Sequence, residues 1–391
     1  MNVYRRIEAD PARWFSPDEV EKARSYQRPL TYLRVAKGVV GAAGVVAIIG
    51  THAAPRLVEA LGRPGSWVVR LLLVLAGLVV VSEAWGLPFE VWREFVHERR
   101  WGFSTQTPAR FAGDLAKSLV LGFVLLALLM VPLWALMRWT DLWWVAGWLV
   151  FLLFSVVLAL LLPVVIIPMF NKLEPLGDAG LAAELRELGR TAGLNISGVD
   201  VMDASKRTKK DNAFFAGLGK TRRVVLFDNL LEQPARSIRL VVAHELGHWR
   251  RHHIVHQIVV GTALSFGLFA LLRLISTWEV ALDWAGVTSI EDPASLPLVM
   301  LVLGAGQLVL GYVQAWHSRA LEREADIEAL RLTGDAAGFQ DTMRRLMTKN
   351  LSELAPSRLS YLRLDHPPPA ERLQLAEVWR GESQPAGALG T

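Results

Sequence analysis

Six long apolar stretches constrain this chain more than any other feature of its sequence. They cover 35–54, 66–86, 115–137, 142–170, 254–272 and 295–316. Each holds about 20 or more mostly apolar residues, enough to cross a bilayer core. The fourth has no charged residue over its whole length. It exceeds the bilayer core, so it is expected to tilt, kink at Pro163 or protrude. The first is the weakest, because it carries Lys37, His52 and several glycines. A buried core helix could explain one such stretch, but six together argue for a multi-pass membrane protein.

Charge then gives an orientation. With the amino terminus placed inside, 37 of the 42 Lys and Arg residues fall in the inside segments, and Arg56, Arg63 and Arg138 fall outside. The outside loop 277–294 has Glu279, Asp283, Glu291 and Asp292 but no basic residue. This is the positive-inside pattern, and it predicts cytoplasmic termini. The net charge of +5 therefore reads as topology, and no nucleic-acid partner is expected. A mean hydropathy of +0.31 agrees with the membrane reading. The absence of cysteine excludes a disulfide-stapled scaffold, a thiolate metal site and a thiol nucleophile. The acidic start of the chain does not resemble a cleaved signal peptide.

Two inside segments, 171–253 and 317–391, are long enough to do chemistry. The first opens on a helix at 179–192, where Leu181, Leu185 and Leu188 recur at helical spacing. Short β-branched runs at 199–202 and 223–227 follow, separated by the turn-rich stretch 205–220, and predict a small sheet beside helices. Pro234 begins another helix. The second segment is expected to be helical to Leu332, to loop at Thr333 and Gly334, and to resume to Lys349. A final helix follows His366 and Pro367 to Pro369.

The helix after Pro234 carries His244-Glu245-Leu246-Gly247-His248. Four-residue spacing puts both histidines on one helix face, where two imidazole nitrogens can grip one zinc ion. Glu245, beside a ligand but offset from the metal, is placed to take a proton from water. Chance would produce this pattern at this composition about 1% of the time. A catalytic zinc needs a third protein ligand, and without cysteine the choices are Asp, Glu or another His. Glu322 and Asp326, also four apart, follow the sixth span. Glu322 would be the third ligand, and Asp326 would orient a ligating histidine. Glu324 and Glu328 read as an exposed acidic face.

The chain resembles the integral-membrane CAAX prenyl endopeptidases of the zinc gluzincin type. The resemblance rests on LPFEVWREFVHERRWGFSTQT, PMFNKLEPL, DASKRTKKDNAFFAGLGKTRRVVLFDNLL, HELGHW, SRALEREAD and DHPPPAERLQLA, in that order. One departure is that eukaryotic relatives typically carry an additional amino-terminal span, and this chain begins after it; a prokaryotic member is expected. The resemblance implies one zinc per chain on His244, His248 and Glu322, with Glu245 as general base. It also implies catalytic roles for His366 and Arg372, as donors to the oxyanion, and a place for Asn212 and Ala213 beside the substrate backbone. The neighbouring strands could bind the peptide by edge pairing. The implied partners are a peptide or protein substrate, with or without a C-terminal prenyl group, and the lipid bilayer.

Polar residues at span depth are candidates to line a hydrated chamber: Arg70, Glu83, Gln257, Arg273, Gln307 and Gln314. His252, His253 and His256 are expected at the interface or behind the ligands rather than on the metal. The expected fold is an all-α multi-pass membrane protein, with six helices around that chamber and a cytoplasmic zincin-like α+β domain holding a small sheet. The expected divisions are 1–34, 35–170, 171–253, 254–316 and 317–391. Three function classes follow: a CAAX-type zinc endopeptidase, a general membrane-protein quality-control protease, and a transporter or receptor with a structural HELGH segment. A site-2-type intramembrane protease fits poorly, since Arg250 and Arg251 follow the motif at once.

Overall fold

Ser16 starts the first long helix of the computed structural model, which describes residues 2–216 and 222–383. Its hydroxyl accepts from the Glu19 amide, and the Glu19 carboxylate accepts from the Ser16 amide, closing a capping box. The helix, α1, is Pro17–Gly50. Three more long helices follow: α2 at Trp67–Val91, α3 at Pro108–Trp139 and α4 at Trp143–Leu161. α4 continues to Phe170 through a π-helical turn, Leu162–Ile166, at Pro163. That is the expected point of irregularity, because proline supplies no amide hydrogen to the helix ladder.

The first polar segment then forms α5, Ala179–Thr191, and α6, Ala235–Arg250, around a four-stranded sheet. Its strands are β1, Leu173–Pro175; β2, Gly198–Met202; β3, Ala213–Ala216; and β4, Arg223–Phe227. Their spatial order is β1-β2-β4-β3; β2 and β4 run parallel, and the outer strands pair antiparallel. β4 is central and buried at Val224, Val225 and Leu226, which explains its unbroken apolar run. The sequence reading took the 205–220 stretch as turn; the structure places β3 within it. Its four residues on a sheet edge are too few to announce themselves by alternation. Residues 217–220 of that stretch lie outside the described residues.

The chain returns to the apolar layer as α7, His253–Ile275, and α8, Leu296–Thr333. Among the described residues, six helices are long and apolar enough to cross a membrane. α8 has 38 residues and so runs about 57 Å, well beyond the ~30 Å hydrocarbon core. Its second half therefore projects from the apolar layer and carries Glu322 and Asp326. Gly334, at φ 64°, ends it in the left-handed conformation that glycine adopts without strain. α9, Ala336–Lys349, and α10, Pro369–Ser383, complete the polar domain. α1 passes 34/35 and α8 passes 316/317 without a break, so those expected divisions are not ends of elements.

Two principal cores result. One joins α5, α6, the end of α8, α9, α10 and the sheet through Leu185, Leu226, Leu246, Leu330, Phe339 and Leu373. The other closes the far end of the helix bundle through Ile49, Leu71, Trp134, Phe269, Leu282 and Val299. A cavity of about 710 Å³ has Gln257 and Gln314 on its wall. Gln307 lines a neighbouring groove and donates to Gln314 at 3.0 Å. Arg70 and Arg273 are not on that wall; Arg273 reaches Ser276 at 3.5 Å.

Candidate active site

α6 buries Ile238, Leu240, Val241, Val242 and Ala243 against the polar core, which fixes its rotation and sends His244 and His248 toward α8. The two helices pack closely because residue 247 is glycine. A Cβ there would lie 2.9 Å from the Ala325 carbonyl oxygen and 3.0 Å from its Cα. Glycine in a helix costs roughly 0.5–1 kcal/mol relative to alanine, and here that cost is offset by a backbone approach no larger residue permits.

The approach brings His244, His248 and Glu322 together, with one possible ligand atom from each lying within 4.8 Å of the others. The two Nε2 atoms are 3.3 Å apart. His244 Nε2 lies 3.3 Å from one Glu322 oxygen, and His248 Nε2 lies 3.3 Å from the other. Glu322 is buried, and its Oε2 has no hydrogen-bond partner among the described residues. An orphaned buried carboxylate oxygen facing two imidazole nitrogens is what a divalent cation would satisfy.

The far nitrogens of both rings are already committed. His244 Nδ1 lies 2.8 Å from Asp326 Oδ1, so it carries a hydrogen and donates it. Asp326 is fully buried, and the Arg372 guanidinium grips it at 2.8 and 2.5 Å. His248 Nδ1 lies 2.9 Å from His253 Nδ1, and His253 Nε2 lies 3.1 Å from Glu324. Glu324 in turn accepts from Arg251 at 2.6 Å. The carboxylate takes the His253 Nε2 hydrogen, which leaves His253 Nδ1 to accept from His248. Both motif histidines thereby have Nδ1 engaged behind them and Nε2 turned toward Glu322. Burial opposes charge on His244, but the Asp326 hydrogen bond and the neighbouring Glu322 carboxylate outweigh it and push its pKa up to about 10. The pocket around it draws in positive charge.

Glu245 is half-buried, and burial raises its carboxyl above the ordinary carboxylate range against the pull of His244 and His248. His366 Nε2 lies 3.4 Å from Glu322, and its Nδ1 lies 2.9 Å from Asp365. Enclosure disfavours its charge, yet the Asp365 hydrogen bond and the Glu322 charge raise its pKa. Arg372 sits behind His244, with both its carboxylate contacts on Asp326, rather than across the His244, His248 and Glu322 cluster as an oxyanion donor. Asn212 is exposed at the start of β3, where its side chain accepts from Ala213 at 2.9 Å; β3 is a free edge of the sheet.

Two residues read as exposed acidic surface are not. Glu324 joins the His248 support, and Glu328 is buried and paired with Arg331 at 2.7 Å. Nothing in the local sequence marks Glu324, since its partners lie 71 and 73 residues away. The sequence reading passed over Gly247, although a glycine inside a helix needs a reason. Trp249 packs on Phe215 of the edge strand, with ring centroids 6.1 Å apart.

Comparison with known proteins agrees with this geometry. Residues 3–172 match the family described as CAAX prenyl protease N-terminal, five membrane helices, and residues 175–380 match peptidase family M48. Four of the six long apolar helices fall within the first match. The CAAX prenyl protease 1 of Saccharomyces cerevisiae is 30% identical over 79% of this chain and 72% of its own length. An uncharacterised metalloprotease of Bacillus subtilis, YhfN, is 25% identical over 95% of this chain and 88% of its own. The crystal structure of S. mikatae Ste24p superposes with a TM-score of 0.83 at 25% identity, covering 93% of this chain and 90% of that one.

Proposed function

The chain belongs to peptidase family M48, in its membrane-embedded CAAX prenyl protease branch, and from that premise we propose that it is a zinc endopeptidase cutting peptides near their C-terminal end. It is a multi-pass integral membrane metalloprotease that acts on peptide substrate. One observation carries the finer reading: two histidine nitrogens and a buried carboxylate converge within 4.8 Å beside Glu245.

His244, His248 and Glu322 would hold the metal, and this nitrogen-and-carboxylate set suits zinc. Bound there, zinc would supply Lewis acidity that polarises a peptide carbonyl and makes water acidic near neutral pH. Glu245 takes a proton from the attacking water and returns it to the leaving amine. Its raised pKa suits both transfers, because the group must accept and release within one cycle. The protonated His366 imidazole donates to the carbonyl oxygen as negative charge develops. Asp326 and Arg372 hold His244 in place, and His253 with Glu324 holds His248. Asn212, Ala213 and the free β3 edge bind the substrate backbone in extended form.

The basic inside segments support a cytoplasmic active site, in the inner membrane for a prokaryotic host. No nucleic acid enters this reading. The name of the yeast relative supports prenylated substrates. The test is cleavage-site mapping on farnesylated and unprenylated forms of one peptide, with Glu245→Ala as control. Faster cutting of the farnesylated form supports the CAAX reading, and equal rates favour a general membrane protease. A zinc-loaded protein that cuts neither peptide would leave the transporter or receptor reading.

A further inference from the structure

The cavity of about 710 Å³ beneath the active site has a wall that proteolytic chemistry does not use. It lies where α1, α7 and α8 meet the loop before His366. Two arginines face it, Arg34 from α1 and Arg363 from that loop, with His317, Gln257 and Gln314 between them. The one carboxylate among the lining residues is Asp365, whose Oδ1 is held 2.9 Å from His366 Nδ1. Arg363 has a neutral partner, donating from Nε to the Tyr312 hydroxyl at 3.2 Å. The wall therefore presents two guanidinium groups whose charge the surrounding residues do not match.

The loop is held firmly. Buried Arg319 donates to the Leu364 carbonyl oxygen at 2.5 Å, and its guanidinium stacks over Tyr361 at 4.6 Å. The backbone that carries Arg363 is thus anchored, and the Tyr312 hydroxyl engages its side chain. It stands three residues before His366, so their Cα atoms are no more than about 11 Å apart. His366 touches Glu322 at 3.4 Å. An extended peptide with its scissile bond at the metal ligands would reach the arginines within a few residues. A chain ending there presents a carboxylate, which arginine binds in a two-pronged fashion.

We propose that Arg34 and Arg363 form a binding site for the C-terminal carboxylate of the substrate and select peptides that end a few residues past the scissile bond. The inference rests on the proteolytic reading above and adds a basis for specificity within it. Gln257 and Gln314 supply amide hydrogen bonds to the intervening backbone. A substrate extended beyond the site, or capped as an amide, leaves two arginines facing a neutral group.

The test uses the full-length zinc-loaded protein and one peptide sequence made twice, as the free acid and as the C-terminal amide. The expected result is at least about tenfold higher kcat/KM for the acid, with the difference in KM. In Arg34→Gln/Arg363→Gln the ratio should collapse toward one through a raised KM for the acid, and Arg363→Lys should restore part of it. Equal cutting of both peptides by the unaltered protein overturns the proposal. So does a double variant that keeps its preference, or one whose defect appears only in anionic vesicles and not in detergent, since the arginines would then serve lipid headgroups. If the unaltered protein cuts neither peptide, the proteolytic reading falls and this inference falls with it.

Discussion

The two motif histidines occupy equivalent places on one helix but are supported in different ways. Behind His244 stands a sealed ion pair: Asp326 is fully buried and Arg372 grips it with two bonds. Behind His248 stands a neutral relay, His253, then a Glu324 that is anchored by the half-exposed Arg251. The first support is a fixture of the polar core. The second lies where α6 turns into α7, at the boundary with the apolar layer, so the long apolar helix α7 itself helps to aim His248. The difference predicts that the His244 side governs whether the site forms, and the His248 side how finely it is set.

The harshest way to break the comparison is to remove the metal. Chelation should reduce turnover to background, and added zinc should restore it if both supports persist without the ion; failure to recover would show that one collapses. Glu245→Gln should lower turnover by roughly 10²–10⁴-fold with metal content retained, as read by peptide assay and metal analysis. A loss of metal there would mean that Glu245 serves the fold. Asp326→Asn should weaken metal affinity by roughly 10–100-fold. It also leaves Arg372 buried without a counter-charge, at a cost of about 3–5 kcal/mol, visible as a lower Tm. His253→Ala should weaken metal affinity by about tenfold or less, with a smaller change in Tm. Equal effects of these last two changes would erase the distinction between the supports.

The smallest expected effect calibrates the others from outside the site. Asp335 caps α9 through the Gly338 amide and pairs with Arg236 at 2.6 Å. Asp335→Ala should cost about 1 kcal/mol at neutral pH by thermal denaturation. The Arg236 hydrogen bond, opposed by burial, holds the Asp335 carboxyl below its ordinary value. A carboxyl depressed in the folded state stabilises above its unfolded pKa and loses that contribution as pH falls through the folded one. The gap between variant and parent should therefore shrink below about pH 4.

Helices were legible where periodicity or apolar length was long. α5, α6, α8 and α9 begin and end within a residue or two of where Pro234, Gly334 and the leucine spacing put them. β1 and β3 were not, since strands of three and four residues carry too little pattern. The cluster of His244, His248, Glu322 and Asp326 was legible as two four-residue spacings, because a helix converts sequence distance directly into facing direction. Glu324 was not, because its meaning depends on Arg251 and His253, which only packing brings to it.

Sequence alone determined the membrane class and the residue types of the His244, His248 and Glu322 cluster, and it gave the charge pattern behind the proposed orientation. Those properties follow from local composition and from the fixed periods of helix and bilayer. The tertiary structure decided which nitrogen of each histidine is free and where Arg372 stands. It also decided that Arg34 and Arg363, 329 positions apart in the sequence, share one cavity. Each of these depends on where distant segments meet in space, and spacing along a chain carries no record of that.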